Sequence, residues 1–375
     1  MDVRRGPDFM NHVITKQQLF FLVLSFTTGS SILMAPGLTA ISAKNEAWFS
    51  MIIAGGIGLL LNLLLVWLLK KYHYASIFEI TEKVCGRAGG FIINALIIFY
   101  ALNLAAYILR NISNFMTTSI SPESNPAGFQ ILLLLVVMYS VYFGLNNLAT
   151  VNQFFLPLTL SMLGVSLLLV MNQFDLANLK PFFSRGIKPL LHGAYPVLGF
   201  PFIEVILISS FFTYVSNKKG LGRSYLISLF IGAAVLSFTT FVSIAIQGFD
   251  LVIRQTYSTF ELMRDITIVK LFERIEVLIG VFWIFGIFVK ITFCMQSAML
   301  GFKAMTKHRT YRPFILPASL FVWTMSNRIH LKLIDFNNFV FQYWTLWWFL
   351  LYVLFILLLA AGLLAGKHKA SHGRM

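Results

Sequence analysis

The sequence predicts an all-α polytopic membrane protein: ten transmembrane helices arranged as two five-helix repeats of inverted topology. Three observations carry that expectation. Apolar residues make up 58% of the 375 and charged residues only 11%, with 38 phenylalanines among them; a water-soluble domain carries about 25% charge. The apolar residues gather into ten segments close to the ~20 residues that cross a bilayer as a helix. The first and sixth segments are interrupted near midspan by Gly, Ser and Pro. A water-soluble globule and a disordered chain are thereby excluded. Strand-like alternation is absent, so helices, which satisfy their own backbone in lipid, are expected over a barrel.

The first segment, 17–42, holds an apolar run from Leu19 to Ala35, longer than the 7–15 residues of a signal-peptide core, so cleavage is not expected. It contains Gly29-Ser30-Ser31 and then Pro36-Gly37. Proline removes a backbone donor and frees a carbonyl one turn back, and serines that bond their own backbone favour unwinding. The second segment, 48–69, carries Gly55, Gly56 and Gly58, read as close helix packing. The third, 90–118, places Tyr100, Asn103 and Tyr107 on one face at i, i+3, i+7, a polar stripe suited to a cavity wall. Arg110, near its outer end, can snorkel. The fourth, 127–144, and fifth, 150–171, complete the first repeat. The sixth, 190–215, reads Tyr195-Pro196-Val197-Leu198-Gly199-Phe200-Pro201-Phe202-Ile203-Glu204, with two prolines bracketing Gly199. The seventh, 221–247, leads to a long loop in which Ser258-Thr259-Phe260-Glu261 fits a capping box, predicting a short amphipathic helix to about Phe272, either a lid or a docking surface. The eighth, 275–301, contains Lys290; the ninth, 313–327, is short; the tenth is 340–366. Residues 1–375 are therefore expected to form a single integral membrane domain. Its first repeat runs from about 17 to 171 and its second from about 190 to 366, with 367–375 a basic cytoplasmic tail.

Charge fixes the orientation. With the N-terminus inside, inner segments hold 17 Lys and Arg and outer segments 10, while inner acids number four and outer acids nine. Both termini are therefore expected in the cytoplasm. The formal +15 follows from this asymmetry and calls for no nucleic acid. Lys70-Lys71 and Lys218-Lys219 are expected at anionic lipid headgroups.

Because five is odd, the second repeat is inverted relative to the first, and each repeat opens with a broken helix. Interruptions in matching positions of inverted repeats point to a central solute site. Backbone N–H groups at a break suit a carboxylate, and freed carbonyls suit a cation or amine. An amino acid carries both groups on one carbon. Two charges lie deep within spans, Glu204 and Lys290, each costing about 3 kcal/mol or more at the bilayer centre, so each must face the interior with a partner. Three readings stand side by side: Lys290 as a built-in cation donating to carbonyls freed at Gly29 or to Ser30, an interior Lys290–Glu204 pair that fixes packing, and Glu204 as a proton carrier. The sequence has no Gly-rich phosphate loop, no zinc-spaced His-Glu pair and no Cys-x-x-Cys, and its seven histidines are scattered. No enzyme activity, metal or cofactor is expected.

Several segments together resemble the B subunit (GerAB/GerKB type) of spore nutrient-germinant receptors. They are Ile14-Thr15-Lys16-Gln17-Gln18-Leu19 with Gly29-Ser30-Ser31-Ile32-Leu33 and Pro36-Gly37; Thr256-Tyr257-Ser258-Thr259-Phe260-Glu261-Leu262-Met263-Arg264; and Glu273-Arg274-Ile275-Glu276 leading into Phe285-Gly286-Ile287-Phe288-Val289-Lys290-Ile291. That family is similar to amino-acid permeases of the APC superfamily, which have the LeuT-like 5+5 inverted repeat. The resemblance implies a subunit of an inner-spore-membrane receptor, partnered by an A subunit and a lipoprotein C subunit, whose ligand is a small nutrient such as an amino acid or sugar. It places the binding segment on Thr28, Gly29, Ser30, Ser31 and Ile32 of the first span with Leu198, Gly199 and Phe200 of the sixth; Tyr100 and Asn103 join them from the polar stripe. It also puts Lys290 where related transporters hold sodium. Permeases often show Gly-Ser-Gly-Ile at the first break, and here Ser31 replaces the second Gly. The expected mechanism is closure of both breaks over the nutrient, shifting the bundle toward a signalling state. The alternative is a permease moving its substrate by alternating access. A bulky residue at Gly29 is expected to abolish the response without unfolding the protein.

Overall fold

The computed structural model describes residues 14–121, 123, 125–183, 185–264, 276–330 and 332–366. The basic tail, Glu273-Arg274-Ile275 and the helix expected between Arg264 and Phe272 lie outside the described residues. The chain is helical nearly throughout. The first span is α1 (Lys16–Gly29) and α2 (Ala35–Ala43), separated by the non-helical stretch 30–34. A true capping box starts it: Gln18 N–H donates to Thr15 Oγ1 at 3.1 Å and Thr15 N–H donates to Gln18 Oε1 at 2.8 Å. Then come α3 (Ala47–Lys71), α4 (Ile77–Phe115), α5 (Pro126–Phe143) and α6 (Leu145–Val170). The sixth span is α7 (Ile187–Val197), a wide turn over Leu198–Ile203 and a tight 3-10 helix over Glu204–Tyr214. It is followed by α8 (Leu221–Gln247), the short α9 (Phe249–Arg254) and α10 (Ser258–Arg264), α11 (Glu276–Thr306) and α12 (Ile315–Arg328). The last span is α13 (Leu333–Phe339), a π turn over Val340–Trp344 and α14 (Thr345–Leu364).

Eight helical stretches among the described residues are long and apolar enough to cross a membrane. Counting the broken α1–α2 as a span of its own and adding the 14-residue α12 gives the ten expected. The third span begins well before residue 90. Gly86, at φ 74°, ψ −179°, turns the chain between a short leading helix and the part that crosses the bilayer. That conformation is easy only for glycine. The sixth span, α11 and α4 are the most buried, whereas α5, α6 and α14 present most of their surface outward. This ordering puts the two breaks at the centre, where irregular backbone is tolerated only if buried or lining a cavity.

The helices cross closely where side chains are smallest. Gly29 meets Gly286 of α11 backbone to backbone: a Cβ built on Gly29 would stand 2.7 Å from the Gly286 carbonyl oxygen. Gly55 and Gly58 of α3 pack on Ala233 and Phe202, while Gly56 faces open space. At the end of the bundle where α1 begins, Ile14 N–H donates to Tyr214 O at 2.9 Å and Ser216 N–H donates to Ile14 O at 3.0 Å. This pair of bonds joins the start of the first span to the end of the sixth.

Candidate functional site

Each break frees backbone carbonyls, and side chains from other elements answer several of them. At the first break, Thr259 Oγ1 of α10 donates to Ile32 O at 2.8 Å, and Trp283 Nε1 of α11 reaches Ser30 O at 3.5 Å. At the second, Thr345 Oγ1 donates to Tyr195 O at 2.9 Å, and Asn62 Nδ2 of α3 donates to Phe202 O at 3.0 Å. Asn62 is held in turn by the Tyr225 hydroxyl, which donates to its Oδ1 at 2.6 Å. A buried carbonyl left unanswered costs about 1–3 kcal/mol, so these four residues are what make two unwound segments stable at membrane depth. In this conformation the carbonyls of Ser30, Ile32, Tyr195 and Phe202, which were expected to suit a ligand's cation or amine, accept from side chains of the protein.

Glu204 and Lys290 come together between the breaks, each with a fully buried side chain. Lys290 Nζ donates to Glu204 Oε2 at 2.5 Å and to Ser30 Oγ at 2.7 Å. The ammonium also sits 4.7 and 4.8 Å from the ring centres of Phe26 and Phe200. The other carboxylate oxygen, Oε1, accepts from Trp344 Nε1 at 2.8 Å. The cluster ties Ser30 of the first break, Glu204 at the edge of the second, α11 and the π turn of the last span into one network. Lys290 reaches the Ser30 hydroxyl, not a carbonyl at Gly29. Two of the three readings, a built-in cation at the first break and an ion pair with Glu204, describe the same atom.

Beside this network lies a narrow cavity with a free volume of about 20 Å³. Glu204, Phe200 and Trp344 form one wall and Tyr107, Asn111 and Met34 another, with Leu104, Ile108, Phe336 and Val340 completing it. The Tyr107 ring packs on Trp344 and Phe339, and its hydroxyl lies 3.2 Å from His330 Nε2. Met34 also lines a second hollow of about 280 Å³, between α2, the 253–256 segment and Asn337–Gln342, so it stands between that vestibule and the cavity. Asn111 Nδ2 donates to the Met34 sulfur at 3.2 Å, and the Tyr257 hydroxyl donates to Asn111 O and Oδ1 at 2.9 and 3.0 Å. Through Thr259 and Tyr257, the segment leading into α10 lies over the first break. The expected capping box at its start is not formed. Glu261 N–H donates to Tyr257 O, making Tyr257 the N-cap, and the buried Ser258 hydroxyl has no hydrogen-bond partner.

The residues singled out from the sequence fall into three groups. Phe200, Glu204 and Tyr107 line the cavity, with Ser30 and Lys290 one layer behind. Thr28, Gly29, Ser31, Ile32, Leu198 and Gly199 form the breaks but not the cavity wall. Thr28 bonds Leu24 O, Gly29 rests on Gly286 and Gly199 on Thr345, while the Ser31 hydroxyl is buried without a partner. Tyr100 turns away to pack, tilted, on Trp348 with ring centres 4.2 Å apart, and Asn103 is buried outside the lining. The expectation for Gly29 needs correction on steric grounds. A bulky side chain there drives into α11 backbone, so it disrupts the fold before it tests a ligand site. Asn111 was within reach of the sequence, since it extends the stripe one turn past Tyr107. Trp344 and Asn62 had no distinguishing signal.

With this geometry described, the relatives can be placed. The sequence profile of the family described as spore germination protein matches residues 13–333. The chain belongs to the spore germination protein family. This member is 26% identical to spore germination protein KB of Bacillus subtilis (strain 168), over 84% of each chain. It is 25% identical to spore germination protein XB of Bacillus anthracis, over 72% of this chain and 76% of that one. Its fold is similar to a nucleobase-cation-symport-1 family transporter in a closed conformation with bromovinylhydantoin bound, at TM-score 0.64 and 12% identity, covering 91% of this chain and 77% of that one. The ten-helix architecture with broken first and sixth spans, an integral multi-pass membrane protein, is therefore the LeuT-like one the sequence predicts.

Proposed function

We propose that this chain is the ligand-sensing B subunit of a spore nutrient-germinant receptor, seated in the inner spore membrane with both termini cytoplasmic and acting with A and C subunits. The observation that carries this reading is the cavity walled by Phe200 and Glu204 of one break and Met34 of the other, backed by the Lys290–Ser30 bond. Its free volume of about 20 Å³ holds about one water in this conformation, so a nutrient is accommodated only as the two breaks move apart. Lys290 balances Glu204, so the site is neutral overall and apolar on most walls, with Tyr107 and Asn111 as further polar handles. A neutral or zwitterionic nutrient with a small apolar body fits this chemistry. The relatives' name, spore germination protein, supplies the process.

In the proposed mechanism the nutrient enters past Met34 and contacts Phe200, Glu204 and Trp344. Any change in the Glu204 position is passed by Lys290 to Ser30, so both breaks respond to one occupant. Binding shifts the population between two arrangements in proportion to its differential affinity for them. The test is a thermal-shift panel of amino acids, sugars and nucleosides on the purified chain, alone and co-purified with its A and C subunits. A ligand at 100 times its dissociation constant adds about 2.7 kcal/mol. A selective shift that Phe200→Ala weakens supports the site, and no shift in either preparation refutes it. The transporter likeness favours a second reading, a permease. Net uptake of the same ligand into proteoliposomes holding this chain alone would establish that one.

A further inference from the structure

Far from the cavity, near the end of the bundle where α3 ends and α8 begins, a groove of about 670 Å³ runs between these two helices. Lys70, Lys218, Lys219 and Arg223 stand around its mouth, and no acidic residue lines it. None of the four is ion-paired with a carboxylate among the described residues. The Lys218 ammonium donates to His73 O at 3.0 Å, which holds that side chain at the rim. Below the mouth the walls are apolar: Leu59 and Val66 on α3, Leu226, Ile227 and Phe230 on α8. Gly222 brings α8 directly onto Val66 and the Tyr74 hydroxyl at the floor of the groove, where a Cβ would stand 2.3 Å from Val66 Cγ1. From Lys70 to Leu59 the groove descends about 16 Å at ~1.5 Å per helical residue, which is the depth of one leaflet of a ~30 Å hydrocarbon core. Trp67, half exposed and 5.7 Å below the Lys71 ammonium, marks the level where chain meets headgroup.

A comparable groove of about 590 Å³ beside Arg87 and Lys307 includes Glu82, which pairs with Lys307 at 3.4 Å. There the charge is partly balanced internally. In the α3–α8 groove it is not, and the surplus sits at the top of an apolar channel. A soluble anion would use the cations and leave the channel exposed; a neutral lipid would use the channel and leave four cations unanswered. A molecule with a phosphate on one end and an acyl chain on the other satisfies both. We propose that this groove is a binding site for one anionic phospholipid, its phosphate among Lys70, Lys218, Lys219 and Arg223 and one acyl chain laid against Leu226, Ile227 and Phe230.

The test uses the full chain reconstituted in vesicles that contain a trace of phosphatidylglycerol carrying a photoactivatable diazirine in one acyl chain. Phosphatidylcholine with the same acyl chain is the comparison. Labelled residues are mapped by mass spectrometry. Each cation near an anionic lipid surface changes affinity about five-fold, so Lys218→Gln/Lys219→Gln is expected to weaken phosphatidylglycerol labelling of 222–230 by about 25-fold. Lys307→Gln/Arg309→Gln, at the other basic loop, is expected to leave it unchanged. Leu226→Trp fills the channel without altering charge and is expected to reduce labelling too. Equal labelling by the two lipids, indifference to Lys218→Gln/Lys219→Gln, or loss of phosphatidylglycerol labelling upon adding inorganic phosphate would each overturn the proposal, the last by showing that the cations hold a soluble anion.

Discussion

Lys290→Met tests the central network most directly. The ammonium and the Glu204 carboxylate are 2.5 Å apart and both fully buried. At an effective dielectric of ~20 their attraction is about 6–7 kcal/mol. That is close to the several kcal/mol per ion needed to bring the charges out of water. The intact pair therefore nearly breaks even, and the penalty appears when one partner is removed: about 3–5 kcal/mol for a buried charge left alone. After Lys290→Met, Glu204 keeps only Trp344; after Glu204→Gln, the ammonium keeps Ser30 and the faces of Phe26 and Phe200. Lys290→Met should therefore be the more damaging single change. The double variant Lys290→Met/Glu204→Gln removes both charges and should fall short of the sum of the singles by about 3 kcal/mol or more. Unfolding of the purified chain by sodium dodecyl sulfate in mixed micelles, read by tryptophan fluorescence, gives the four free energies of the cycle. Single variants within about 1 kcal/mol of the parent, or an additive double, would refute the reasoning.

Four further outcomes follow from the same geometry. Gly29→Ala places a Cβ 2.7 Å from the Gly286 carbonyl oxygen and is expected to cost about 1–3 kcal/mol of stability by overpacking, measured in the same unfolding assay. Trp344→Phe keeps the ring but removes the donor to Glu204 Oε1; a loss of about 1.5–3 kcal/mol is expected for a bond to a charged group, with a weaker ligand-induced thermal shift. Thr259→Val leaves the buried Ile32 carbonyl unanswered and should cost about 1–3 kcal/mol, whereas Thr259→Ser should not. Burial pushes the His330 imidazole below its ordinary value, Asp335 opposing and Arg110 adding to the effect. Its neutral form is thus favoured by folding, and the stability it contributes is present above the usual histidine range near ~6.5 and lost as pH falls through that range toward the lower native value. Melting temperatures at pH 7.5 and 5.5 should differ less in His330→Gln than in the parent.

The parts of this fold that were legible in the sequence are those governed by lipid. Span lengths follow from bilayer thickness, and the breaks follow from Gly, Ser and Pro where an apolar helix has no local reason to hold them. Glu204 and Lys290 stood out because charge at that depth is expensive. Their being partners, and Ser30 the third, depends on how three spans cross, which a single sequence does not state. Gly29 shows the limit most sharply. The sequence marks it as special, but the same absence of a side chain serves a ligand's approach or a helix's approach, and only the position of Gly286 decides between them. The π turn that swings Trp344 onto Glu204 arises within Val340-Phe341-Gln342-Tyr343-Trp344, a run with no proline or glycine to announce it. Asn62 and Thr345 look like ordinary polar residues in apolar spans until the carbonyls they answer are located.

The pair of backbone bonds between Ile14 and the Tyr214–Ser216 segment constrains any motion of the two broken spans. At that end α1 and the Glu204–Tyr214 helix are yoked, and to swing apart they must give up two hydrogen bonds at about 0.5–1.5 kcal/mol each. Across the breaks, among the described residues, α2 and α7 are joined by close packing of Gly193 on Thr39 rather than by a backbone pair, and the two unwound segments lie between. A displacement that starts at Glu204 therefore travels along the 3-10 helix and pulls the start of α1 with it. The two yoked half-helices move as one lever, while beyond the breaks α2 and α7 form a second packed pair, with Gly193 of α7 set against Thr39 of α2.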